Sequence, residues 1–195
     1  MAGTGGPVRT TVRVAAVSYV PPFHDHRARG VSLVDVAAMA DRVAAERPDF
    51  ICFPEACASV AEGLERGTQA APEFGPFVAA VGRIARRVGA AVVVPFLERD
   101  GDRVFNSVPV VDRQGELVLL YRKNYPTTGE LAAGICPGTE APVAECDGVR
   151  VGAAVCFDLN FDELAARLEG GRARLVFWPS MYWGGRLLER WAVRY

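Results

Sequence analysis

Three residues able to do covalent and acid–base chemistry share one kind of placement. Glu55 follows the apolar run Phe50-Ile51-Cys52-Phe53-Pro54, Lys123 follows residues 117–122, and Cys156 follows residues 149–155 and precedes a helical stretch. Reactive groups just past strand ends are where α/β sheets commonly place their sites. Singly, each of the three reads better as a strand-end surface charge or a buried thiol. Together they form a set with a chemical use. A free thiol has a pKa near ~8.5, so only a small fraction is thiolate at neutral pH and a nucleophilic cysteine needs a base. A carboxylate such as Glu55 can take the thiol proton. An ammonium such as Lys123 can stabilise the oxyanion of a tetrahedral intermediate, where removing one donor typically costs ~10²–10³ in rate.

The segments around these residues resemble the carbon–nitrogen hydrolase family, also called the nitrilase superfamily. Phe53-Pro54-Glu55 is similar to its glutamate motif, Tyr121-Arg122-Lys123 to its lysine motif, and residues 155–163, Val-Cys-Phe-Asp-Leu-Asn-Phe-Asp-Glu, to its nucleophile motif. Trp178-Pro179-Ser180 stands where that family often carries such a tripeptide. The spacings of 68 residues from Glu55 to Lys123 and 33 from Lys123 to Cys156 fit as well. The resemblance implies hydrolysis of a nonpeptide carbon–nitrogen bond in a small-molecule amide, carbamoyl amine or nitrile. Cys156 would be the nucleophile that carries a thioester, Glu55 the base and Lys123 the third catalytic group. It implies neither a metal nor an organic cofactor. An acyl transferase using the same three residues, or an inactive, truncated α/β binding domain, are the alternatives.

Further residues have two readings each. Glu130 resembles a second family glutamate that positions the lysine and substrate, or is a solvated loop carboxylate. The Phe157 backbone N–H is a candidate second oxyanion donor, because a strand-to-helix turn leaves N–H groups free. Asp158 and Asn160 either cap the following helix or touch substrate. Tyr182 and Trp183 either wall a substrate pocket or pack in the core. His24-Asp25-His26 reads as an exposed loop or as an overhang to the cleft.

The elements that must hold these residues follow from periodicity. Residues 12–17, 50–53 and 91–96 read as buried strands. Leu33, Val36, Ala37, Ala40, Val43 and Ala44 recur at helical spacing, with Ser32 and Asp35 as a cap and Arg47-Pro48 as the stop. Phe77, Val81, Ile84 and Val88 mark a second helix with Arg83, Arg86 and Arg87 turned outward. Turn signals at Asp100-Gly101, Gln114-Gly115 and Asp147-Gly148 separate strands over 103–111, 117–121, 142–145 and 149–155. A helix over 162–168, a strand over 175–178 and a helical pattern starting near Gly185 complete the chain.

This βαβαβ start with added hairpins predicts a mixed α/β domain, and the family resemblance implies an α-β-β-α sandwich. Residues 1–10 read as a flexible N-terminus and 11–195 as one domain. Members of that family run longer. The expectation is therefore that the C-terminal part of the sandwich is missing and that residues 1–195 alone are poorly soluble or partly unfolded, with little activity. The complete form is expected to be a homodimer or larger homo-oligomer.

Composition narrows the other classes. With 22 basic and 23 acidic side chains, a net charge of −1 offers no electrostatic reason for nucleic acid or an anionic membrane as partner. No signal core or membrane-length apolar run appears, which predicts a cytoplasmic location. Five cysteines without a CxxC pair, and two histidines, fit neither a disulfide framework nor a zinc site.

Overall fold

The computed structural model describes residues 11–18, 32–57 and 64–195. The chain runs β1 (Val14–Ala16), α1 (Leu33–Ala44), β2 (Phe50–Cys52), α2 (Leu64–Gln69), α3 (Phe74–Val88), β3 (Ala91–Val93), β4 (Phe96–Asp100), β5 (Arg103–Val111) and β6 (Leu117–Arg122). Then come α4 (Thr128–Ala132), β7 (Ala144–Cys146), β8 (Val149–Ala153), a 3-10 turn at Cys156–Asn160, α5 (Asp162–Gly170), β9 (Leu175–Phe177) and α6 (Arg186–Arg194).

Two mixed sheets result. In the first, β1, β2 and β3 are parallel, β3 pairs antiparallel with β5, and β5 pairs antiparallel with both β4 and β6. In the second, β8 lies between antiparallel β7 and parallel β9. Side-chain alternation along the strands builds two cores from the first sheet. Ile51 and Val92 face α1 and α3, joining Val36, Ala40, Phe77, Val81 and Ile84. Phe50, Ala91, Val93 and Val110 face the second sheet, joining Val149, Val151, Ala153 and Phe177. Helices thus flank two packed sheets, the layering predicted above. On the far side α5 comes close to β8, because a Cβ at Gly152 would sit 2.8 Å from the Leu168 side chain.

Most elements fall where the pattern places them. Ser32 and Asp35 form a reciprocal capping box at α1. Arg83, Arg86 and Arg87 are exposed on α3 while its apolar stripe is buried. Three features differ from the sequence reading. The run 91–96 is not one strand: β3 ends at Val93 and β4 begins at Phe96, because Pro95 has no N–H for a ladder and restricts Val94. A 3-10 turn, not only a strand-to-helix step, separates Cys156 from α5. Two short helices, α2 and α4, were absent from the reading, since six and five residues are too few to show a 3.6-residue period.

The apolar stripe of α6 is only partly used. Trp191 packs against the second core, yet no α6 residue is fully buried. A groove of about 380 Å³ remains between α5, β9 and α6, lined by Leu168, Leu175, Val176, Leu188 and Trp191. Among the described residues, the Trp191 indole N–H is buried without a hydrogen-bond partner. No helix among them is long and apolar enough to cross a membrane. The expectation for residues 1–10 lies outside the described residues.

Candidate active site

Glu55, Lys123 and Cys156 reach the site from three strand ends. Glu55 sits in the turn after β2, where Ala56 adopts a positive φ of 43°. Lys123 follows β6 and its N–H donates to the Asn106 carbonyl of β5 (2.8 Å). Cys156 opens the 3-10 turn after β8 at φ 47°, held by its N–H to the Pro179 carbonyl (3.1 Å) and by the Trp178 indole N–H to its own carbonyl (3.1 Å). Positive φ at a non-glycine residue costs of order 1–3 kcal/mol and tends to mark functional turns. Two such turns lie on either side of this site.

Glu55 and Lys123 meet side chain to side chain. Lys123 Nζ donates to Glu55 Oε1 at 3.0 Å and to Glu130 Oε2 at 2.8 Å, and all three groups are at least 94% buried. An ammonium has three N–H donors; the third has no partner among the described residues. Glu55 also accepts from the Asn106 amide (2.9 Å) and, through Oε2, from the Met181 N–H (3.0 Å). Residues 179–181 link Glu55 to Cys156: the Cys156 N–H donates to the Pro179 carbonyl and the Met181 N–H to Glu55. The Cys156 thiol lies close enough to Glu55, Lys123 and Ser180 for them to shift its pKa.

Glu130 is not a solvated loop carboxylate. It is the third residue of α4 and forms a capping box with Thr127, whose N–H donates to Oε2 at 2.8 Å while its hydroxyl accepts from the Glu130 N–H at 3.3 Å. Thr127-Thr128-Gly129-Glu130 carries the [ST]-x-x-[DE] signature, so the sequence held a signal for this helix. One carboxylate therefore both starts a helix and grips Lys123.

The electrostatics follow from burial and charge. Burial pushes the Cys156 thiol up, and the Glu55 charge adds to this, while Ser180 and Lys123 act in the opposite sense; the net shift is upward. Burial opposes the Lys123 ammonium, but Glu55 and Glu130 outweigh it and hold the group above the usual lysine range. Burial likewise opposes the Glu130 carboxylate. Lys123, Asn106 and the Thr127 N–H outweigh that and hold it below the usual carboxylate range.

The remaining predicted residues are placed as follows. Phe157 is 40% exposed, and its N–H has no backbone partner among the described residues. It lies at the start of the 3-10 turn, where donors are left over. Asp158 is fully buried and accepts from the Val155 N–H (2.8 Å), the Tyr125 N–H (2.9 Å) and the Tyr121 hydroxyl (2.7 Å). It caps the turn and ties it to the segment carrying Lys123. The Asn160 amide bonds the Phe157 carbonyl at 2.8 Å. Tyr182 meets Trp178 edge-on, whereas Trp183 is 88% exposed. His24 and His26 lie outside the described residues. Among those described, no group of three or more His, Cys, Asp or Glu is placed to hold a metal ion.

Sequence reading missed Asn106. It is 2% exposed, and its signal was the polar pair Asn106-Ser107 inside the otherwise apolar run 104–111.

Comparison with known proteins gives a family and a fold. The family described as carbon-nitrogen hydrolase matches residues 13–193. A hydrolase of Pseudomonas protegens is 32% identical over 137 residues, 68% of this chain and 48% of that protein. A nitrilase of Paraburkholderia phymatum is 32% identical over 169 residues, covering 79% of this chain and 48% of that protein. The chain thus spans about half the length of these curated relatives. An amidase variant from Nesterenkonia sp., with the acetamide moiety of fluoroacetamide added covalently at its active-site cysteine, has the same fold. The TM-score is 0.79 at 21% identity, over 96% of this chain and 75% of that one.

Proposed function

The chain belongs to the carbon–nitrogen hydrolase family, and from that premise we propose that it hydrolyses a nonpeptide carbon–nitrogen bond through a thioester on Cys156. The substrate class is an amide, a carbamoyl amine or a nitrile. The observation that carries this reading is the convergence of three strand ends. Lys123 lies 3.0 Å from Glu55, and residues 179–181 tie Glu55, through the Met181 N–H, to Cys156, through the Pro179 carbonyl.

For an amide the steps are these. The resting thiol is protonated, because burial and the Glu55 charge disfavour the thiolate. Sulfur adds to the carbonyl carbon while Glu55 takes the thiol proton, and the carbonyl electrons move to oxygen. That oxyanion accepts from the third Lys123 N–H and from the free Phe157 N–H. On collapse the C–N bond breaks, and the amine leaves with the proton held by Glu55. Water then adds to the thioester, giving a proton to Glu55. The C–S bond breaks, the sulfur regains that proton, and the acid departs. Glu130 takes no proton; it holds Lys123 through Oε2 at 2.8 Å.

The test is a panel of amides, carbamoyl amines and nitriles with ammonia detection. At least one class releases ammonia, and mass spectrometry finds the acyl adduct on Cys156. Cys156→Ala abolishes turnover, and Glu55→Gln lowers it by at least ~10², since general base catalysis is typically worth ~10²–10⁴. An adduct on Cys57, the buried free cysteine two residues past Glu55, or full activity in Cys156→Ala, overturns the assignment.

A further inference from the structure

Asn106 touches every charged member of the buried cluster. Its one amide nitrogen donates to Glu55 Oε1 (2.9 Å) and to Glu130 Oε1 (2.8 Å), and its backbone carbonyl accepts the Lys123 N–H (2.8 Å). The residue lies on β5 with 2% exposure, and its Oδ1 is buried with no partner among the described residues. An unpaired buried acceptor is costly, and an apolar side chain of similar size would avoid that cost. The two donated bonds therefore account for the amide. They also decide its orientation, because the reverse one would aim Oδ1 at two carboxylates.

The residue type suits the charge balance. Two carboxylates around one ammonium leave an excess negative charge in a buried site, and each needs donors. An amide supplies two N–H groups from one atom without adding positive charge, so the base is held but not neutralised. Serine has one hydroxyl proton, and ionised aspartate has none.

Resting on the reaction proposed above, we propose that Asn106 is a positioning residue that bridges the Glu55 and Glu130 carboxylates and keeps both in place around Lys123. It makes no bond to substrate; it acts through the base and the lysine.

The probe is iodoacetamide, with the rate of Cys156 alkylation followed by mass spectrometry from pH 5 to 9 and folding checked by circular dichroism. Asn106→Ala, which removes both donors, alkylates Cys156 roughly 10- to 100-fold more slowly at pH 7, as expected for lost hydrogen bonds to charged groups. Asn106→Asp is near-isosteric and distinguishes a bridge from mere packing. Protonated, the new carboxyl is neutral and keeps one donor; ionised, it is a third negative charge beside two others, which raises its pKa. The ratio of the Asn106→Asp rate to the wild-type rate therefore falls as pH rises through that raised pKa. A flat ratio across pH, or wild-type rates in both folded variants, overturns the proposal. Glu55→Gln serves as the control. If it alkylates at the wild-type rate, the base assignment has failed rather than the role of Asn106.

Discussion

At the residue scale, the site is a buried cluster in which each charge depends on its neighbours. Glu130 is held below the usual carboxylate range despite burial, because Lys123, Asn106 and the Thr127 N–H favour its charged form. Its contribution to stability is therefore present above the unfolded glutamate value of about 4.3 and lost as pH falls through its own lower value. Lys123 is held above the usual range, so its contribution is fully present below about 10.4 and lost as pH rises through the higher folded value. Thermal melts from pH 3 to 11 should show both limbs. Glu130→Gln should flatten the acid limb, because the residue no longer titrates. An acid limb as steep in that variant as in the wild type would assign the loss to other carboxylates.

At the element scale, the hairpin carrying Asn106 and Lys123 is held from behind by α3. A Cβ on Gly82 would lie 2.6 Å from the Gly115 carbonyl oxygen, backbone against backbone, so neither partner moves cheaply. Arg86 adds a hydrogen bond from the same helix to the Gln114 carbonyl at 3.1 Å. Gly82→Ala would gain about 1 kcal/mol of helix propensity. Forcing apart two packed backbones costs ~1–3 kcal/mol or more, and we expect a net loss of stability in urea titrations. An unchanged or raised midpoint would show that α3 and the hairpin are not in rigid contact. Much of this scale was legible in the sequence: the turn dipeptides at 100–101, 114–115 and 147–148 and the apolar stripe of α3 marked their elements. The break at Pro95 and the short helix α4 were signalled by residue type rather than by periodicity.

At the scale of the whole molecule, two stretches of apolar surface among the described residues bear on association. One is the groove of about 380 Å³ beside β9, which pairs with β8 alone among the described strands. The other is the exposed set Phe157, Met181, Tyr182 and Trp183 around the site. Apolar grooves beside an open strand edge favour association. We expect this polypeptide to enhance anilinonaphthalene sulfonate fluorescence in its folded state and to self-associate as concentration rises. A dye-silent protein that sediments as a monomer at all concentrations would contradict this.

The sequence by itself determined a mixed α/β domain and which residues could bear chemistry, while the two-sheet layering was implied only by the family resemblance. Alternation along residues 50–53 and 91–93 sorts side chains to two faces, and helical spacing supplies the stripes that cover one of them. Those are local properties, set by repeats of two and 3.6 residues. What only the tertiary structure decided is the set of distances among residues far apart in the chain. Glu55, Asn106, Lys123 and Glu130 come within hydrogen-bonding range because β2, β5 and β6 belong to one sheet, and the segment after the Glu130 helix bridges β5 at Val104. Nothing in the residue type of Asn106 distinguishes a bridge between two carboxylates from an ordinary polar residue in a strand. Its role arises from strand register, which pairs Ser107 with Arg122 and so brings Asn106 alongside Lys123. Register depends on cooperative packing across the whole sheet, not on any single segment.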